Sequence, residues 1–152
     1  MQRSIALGFL IAVASVGGAA DTGAALVPQK LFDTMAANDG AGAKALFTPD
    51  ANLVSVAPDG KVTVTPIDKW TDRVSSSKDQ WLERMWSPSM QEHNAIATVW
   101  GEYDFHLNGK FTHCGIDTFT LVKTNGEWRI AALVFTRETS GCPESPLGPP
   151  KP

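Results

Sequence analysis

The chain has 152 residues, with 13 basic and 16 acidic side chains and a formal charge of −3. That is room for one ordinary domain with a core of its own. The mild balance, with no basic run or basic helix face, excludes the electrostatic footprint of a nucleic-acid binder.

Residues 1–20 read as a secretory signal. Arg3 supplies the positive start, Ile5 to Val16 the apolar stretch, and Gly18, Ala19 and Ala20 the small residues of a cleavage point before Asp21. The apolar run is shorter than the ~20 residues a spanning helix needs. Cleavage is therefore expected, with an extracytoplasmic product, periplasmic or secreted, and no stable membrane insertion. Two cysteines remain, Cys114 and Cys142. In an oxidising compartment they can bridge; as free thiols, Cys114 would be a small buried apolar group. The spacing leaves both open. There is no CxxC or HExxH, so no metal or cofactor is expected.

Residues 21–27 read as a flexible lead, and residues 28–139 as the domain. Pro28 opens a helical pattern, with Leu31, Phe32, Met35 and Ala36 on one face. A second short helix carries Ala43, Leu46 and Phe47, and Pro49 ends it. Leu53, Val54 and Val56, then Val62 and Val64, flank Pro58-Asp59-Gly60 as a hairpin. Pro66 opens a third helix with Ile67, Trp70 and Val74 inward. Four strands follow over residues 81–90, 95–107, 111–123 and 128–138, with a bend expected at Pro88. Asn108-Gly109 and Asn125-Gly126 are tight-turn signals between the last three. Residues 140–152 are a Gly/Pro-rich tail, ordered only if Cys142 is tied down. Helices gathered ahead of an antiparallel sheet predict an α+β fold, with the helices on one face and a cavity under the bent sheet.

This order, with Gly115-Ile116-Asp117-Thr118-Phe119 and Asn125-Gly126-Glu127-Trp128-Arg129-Ile130, resembles the nuclear transport factor 2-like superfamily. Within it, the segments from Trp100 to Leu107 and Lys110 to Phe119 are similar to the lumazine-binding-like and SnoaL-like small bacterial members. The resemblance spans about residues 28 to 138. It implies a cone-shaped roll, homodimers formed through the sheet, and a face carrying Trp100 and Asp117 turned inward. It does not select an activity, because the same cone hosts isomerases, dehydratases, cyclases and non-catalytic binders.

Taking both Asn-Gly turns as two-residue turns fixes a register. Asp104 then opposes His113, Glu102 opposes Gly115, Trp100 opposes Asp117, and Thr98 opposes Phe119. All share one sheet face by strand alternation. Placed inward, this face has an apolar floor with Phe119 and a polar end of Glu102, Asp104, His106, His113 and Asp117. That suits a small hydrophobic or aromatic ligand. Trp81, Trp86 and Trp100 are candidates to stack on it. Asp104 paired with His113 suits general acid–base work, and Asp117 beside Trp100 would titrate high. His106, His113 and Asp104 could in geometry hold a metal, but no motif calls for one. Whether Glu83 or Arg84 points inward is open, because the turn before the next strand is not a clean two-residue type. Three functions stay in play: an exported small-molecule binder, a lyase or isomerase with His113 or Asp117 as proton shuttle, and a structural dimer domain.

Overall fold

A computed structural model describes residues 23–150. The expected signal at residues 1–20 lies outside the described residues. Gly23–Leu26 form a short 3-10 turn that leads into helix α1, Val27–Ala36. Ala24 and Val27 are buried, so this part of the expected flexible lead belongs to the packed domain. Leu31, Phe32 and Met35 are the buried stripe of α1, as their spacing of three and four requires. Helix α2, Gly40–Ala45, is capped by Asp39, whose carboxylate accepts from the Gly42 amide at 2.8 Å.

Strand β1, Phe47–Val56, begins where the second helix was expected to continue, and runs through Pro49. It turns at Ala57–Lys61 into β2, Val62–Pro66, with Val56 opposite Val62. Pro66 stands at the N-cap of α3, Ile67–Ser76, which buries Ile67, Trp70 and Val74. Strands β3 (Trp81–His93), β4 (Ile96–Leu107), β5 (Lys110–Thr124) and β6 (Glu127–Thr136) form a continuous antiparallel meander. Both Asn-Gly pairs take positive φ, Asn108 52° and Gly109 74°, Asn125 53° and Gly126 83°. These are the left-handed conformations that let a two-residue loop follow the strand twist.

The sheet order is β2-β1-β6-β5-β4-β3. One pair departs from the expected antiparallel arrangement: β1 runs parallel to β6, with Leu53 beside Leu133. The three helices pack on one sheet face, and the core lies between them. It joins Leu31, Phe32 and Met35 to Trp70 and Val74 and to Phe119, Leu121 and Ile130 of the sheet. This is the helices-on-one-face α+β roll. Among the described residues no helix is long and apolar enough to cross a membrane.

The tail is tied down. Cys114 and Cys142 form a disulfide. Beyond it, the carbonyl of Gly148 accepts a hydrogen bond from Arg84 Nη1 at 2.9 Å. The segment after β6 thus crosses the sheet from β5 to β3 on the side away from the helices.

Candidate functional site

Bulges decide which side chains enter the barrel. The β4–β5 turn starts in the expected register, with Leu107 opposite Lys110 and His106 opposite Phe111. The next pair is Phe105 with His113, so Thr112 is an extra residue on β5. One added residue turns every later side chain to the other face. Asp117 consequently lies opposite Gly101 rather than Trp100, and Phe119 opposite Val99. A second bulge, at Ala131, follows the pair Leu121 with Ile130 and puts Phe119 opposite Leu133 and Asp117 opposite Phe135. On β3, Ser87 (φ 47°) and Pro88 form the expected bend, and together they oppose Gly101 alone.

The predicted inward row is therefore divided. His113, Asp117 and Trp81 line a cavity of about 510 Å³. Phe119 also points to the helix side, but it is fully buried against Phe32 and belongs to the core. Trp100, Glu102, Asp104 and Trp86 lie on the opposite face. Trp100 is 45 % exposed, and Trp86 donates its indole N–H to Glu102. Asp104 does not meet His113. It takes Arg84 Nε at 2.9 Å, with His106 Nε2 3.4 Å away, where the tail crosses. The metal trio of His106, His113 and Asp104 is not assembled, because His113 is on the other side of the sheet. At Gly115, which the turn register would leave as a gap between His113 and Asp117, a Cβ would instead meet the Thr136 carbonyl oxygen at 2.3 Å.

The cavity falls in the size range of small-molecule sites. Met35, Trp70, Leu53 and Leu133 bound it with Trp81, Phe105, Tyr103 and Phe135; Ser55, Thr63 and Thr65 add hydroxyls from β1 and β2. Trp81 stands edge-on to Phe105 at 5.8 Å and donates its indole N–H to Ser77 Oγ at 3.0 Å. Arg73, Asp79 and Arg137 are exposed residues that border the same cavity.

Its polar feature is an acid pair. Glu83 of β3 faces inward and lies within hydrogen-bonding reach of Asp117 of β5. Asp117 is 1 % exposed. Among the described residues no donor reaches its Oδ2. Burial pushes the Asp117 carboxyl up to about 7, against the opposing pull of the hydrogen bond from Glu83. Burial first, then the Asp117 charge, holds Glu83 well above the usual carboxylate range. The Tyr103 hydroxyl is committed to the Thr136 carbonyl at 2.7 Å, and burial raises it further from ionisation.

The bulge residue also sets His113. The Thr112 hydroxyl donates to the Phe105 carbonyl at 3.1 Å and lies 2.7 Å from His113 Nδ1. With its one proton spent on the carbonyl, the hydroxyl accepts from Nδ1–H, which leaves Nε2 as the acceptor. Burial, and then the Arg137 charge, lower His113 to about 4. Nitrogen-15 NMR of the imidazole should show a neutral ring with the proton on Nδ1 down to about pH 4. A midpoint near the usual 6.5 would contradict this environment.

Tyr103, Phe105, Leu133, Phe135 and Arg137, which turn-based register puts on the opposite sheet face, line the cavity, as do Glu83, whose direction the turns leave open, and Arg73 of α3. The parity of apolar residues along β4 carries a signal for Tyr103 and Phe105. Nothing comparable marks Glu83, whose register runs from the Asn94-Ala95 turn through the bulge at Ser87 and Pro88.

The comparisons agree with this architecture. The family described as "Putative lumazine-binding" matches residues 20–136. The chain belongs to that family and has the nuclear transport factor 2-like fold. Rv3472 of Mycobacterium tuberculosis, whose function is given as unknown, superposes with a TM-score of 0.64 at 18% identity, over 76% of this chain and 74% of that one. A nuclear transport factor 2-like protein from Cytophaga hutchinsonii gives 0.63 at 14% identity, covering 77% and 98%. A cystatin-like-fold protein of unknown function from Nostoc punctiforme gives 0.62 at 11%, covering 77% and 90%. Among proteins with curated descriptions none matches the chain.

Proposed function

We propose that this is an exported small-molecule-binding domain, whose ligand is a hydrophobic or aromatic compound seated in the cavity between α3 and the curved sheet. The observation that carries the reading is the cavity itself: about 510 Å³, walled by Trp81, Phe105, Leu133 and Phe135, with polar groups gathered at Glu83, Asp117 and His113. A few convergent polar groups in an apolar chamber orient a ligand that the walls hold by burial. The family description names a small molecule as well. The Cys114–Cys142 disulfide supports an oxidising, extracytoplasmic location. For self-association, the face away from the helices offers Val62, Val64, Val134, Ile96 and Trp100, all exposed, to a second copy.

Protein purified from its own host should carry a small molecule detectable by native mass spectrometry. Ser55→Trp, which fills the cavity from β1, should lose that molecule while the melting temperature changes little. Uniformly empty protein from the native host would sink the binding reading.

A second reading is favoured by one observation, the Asp117 carboxyl titrating at about 7 inside the cavity. A group in that range can take and return a proton at neutral pH, as a lyase or isomerase would require. Asp117→Asn would then abolish turnover of a bound substrate. Retained turnover would end this second reading.

A further inference from the structure

We infer that the Glu83–Asp117 end of the cavity is a site for an organic cation, a protonated amine or amidinium on an apolar body, flanked by the rings of Tyr103, Phe105 and Phe135. The inference rests on the reading that the cavity holds a small organic ligand, and adds the charge of that ligand.

Three observations carry it. Both carboxyls border the cavity, Glu83 from β3 and Asp117 from β5. Asp117 is 1 % exposed, and its Oδ2 has no donor among the described residues. No basic side chain is ion-paired to either acid; the ion pairs among the described residues engage Asp68, Asp104 and Glu127 instead. Two neighbouring carboxyls with no basic partner leave any negative charge on them uncompensated, which is costly beside a site as desolvated as Asp117. A neutral apolar ligand would leave Oδ2 an orphan, and an anion would meet like charge. A cation with N–H donors supplies both the missing charge and the missing bonds.

The other charged groups around the pair do not reverse this. His113 is held neutral by burial and by Arg137. The Tyr103 hydroxyl donates to Thr136. Asp104 lies behind the sheet against Arg84. Arg73 and Asp79 border the cavity from exposed positions, where solvent screens them; Arg137 is exposed as well, and its charge acts on His113 rather than pairing with either acid. Arrival of a cation favours the ionised carboxylates, so a proton held by Asp117 or Glu83 leaves on binding and affinity rises with pH.

The test is isothermal titration calorimetry of the intact, disulfide-bonded chain with three probes of one size: benzylamine, benzyl alcohol and benzoate. At about pH 8, benzylamine should bind at least about ten-fold more tightly than benzyl alcohol, and benzoate no better than the alcohol. The benzylamine Kd should rise as pH falls to about 5.5, and its heat should vary with buffer ionisation enthalpy, reporting proton release. In Glu83→Gln/Asp117→Asn the advantage of the amine over the alcohol should disappear. If that variant does not fold, the wild-type amine-to-alcohol ratio and the proton release decide by themselves. Equal binding of amine and alcohol, or an amine advantage that survives the double substitution, overturns this inference and leaves the cavity reading standing. Failure of all three probes to bind overturns both.

Discussion

Asp117→Asn is expected to stabilise the domain at neutral pH by on the order of 3 kcal/mol, although it alters the most deeply buried acid. In the folded protein this carboxyl is raised from 3.8 to about 7, chiefly by burial. In the unfolded chain it has its ordinary value. Between those two values the folded state holds a proton that the unfolded state has released. The stability associated with protonated Asp117 is therefore complete below about 4 and is lost as pH rises through about 7. Glu83 adds a fall of the same sign. His113 acts the other way: lowered to about 4 in the fold, it withdraws stability as pH drops below 6.5. Asparagine at position 117 removes the ionisation and can donate its amide to Glu83. Urea midpoints should show wild type losing stability between about pH 5 and about pH 8, and Asp117→Asn losing much less over the same span. A variant less stable than wild type at about pH 8 would mean that the carboxylate has a compensating partner in the fold.

The second large effect is expected from the disulfide. Reduction, or Cys142→Ser, opens a loop with a sequence separation of 28. Loop-closure entropy puts the loss at about 3 to 4 kcal/mol, or roughly 10 to 15 °C in melting temperature for a domain of this size. The local consequence separates this bond from a generic staple. Among the described residues, the hydrogen bonds that then tie this segment to the sheet are the bridge of Glu138 to Cys114 and that of Arg84 to the Gly148 carbonyl. Limited proteolysis should cut beyond Glu138 much faster in reduced protein than in oxidised protein. Equal cutting rates would show that the tail holds its place without the bond.

The helices and strands were legible because their signals are local. The stripe of Leu31, Phe32 and Met35, Pro66 at the start of α3, and the two Asn-Gly turns each depend on a few adjacent residues. The partnership of β1 with β6 was not legible, because a parallel pair has no connecting turn to announce it. The site was half legible for a sharper reason. Turn geometry fixed the register at the hairpin tip correctly and then carried it past Thr112, where the ladder slips by one. Apolar parity contains the missing information. Val99, Tyr103 and Phe105 are the apolar set of β4, and Phe119 and Leu121 that of β5. Under the unbroken turn register these two sets fall on opposite faces. They share one core only if an odd residue intervenes. The same parity conflict between Trp128 with Ile130 and Leu133 with Phe135 marks Ala131. No comparable constraint fixed Glu83 and Arg84, since their placement depends on long-range pairing with Phe105 and Asp104.

The parallel seam has a bearing on how the chain assembles. Strands β3 to β6 are joined by short turns, and each can zip onto its predecessor as soon as both exist. Phe47 must instead wait for Ile130, and Val56 for Thr136. Pairings so distant in sequence are expected to form later than hairpin pairings, which would leave β6 a bare edge until β1 docks. A vacant, apolar strand edge is where another chain can dock. The species to guard against is then expected to be a nearly finished one, and a holdase that masks β6 would protect it better than any aid to the helices.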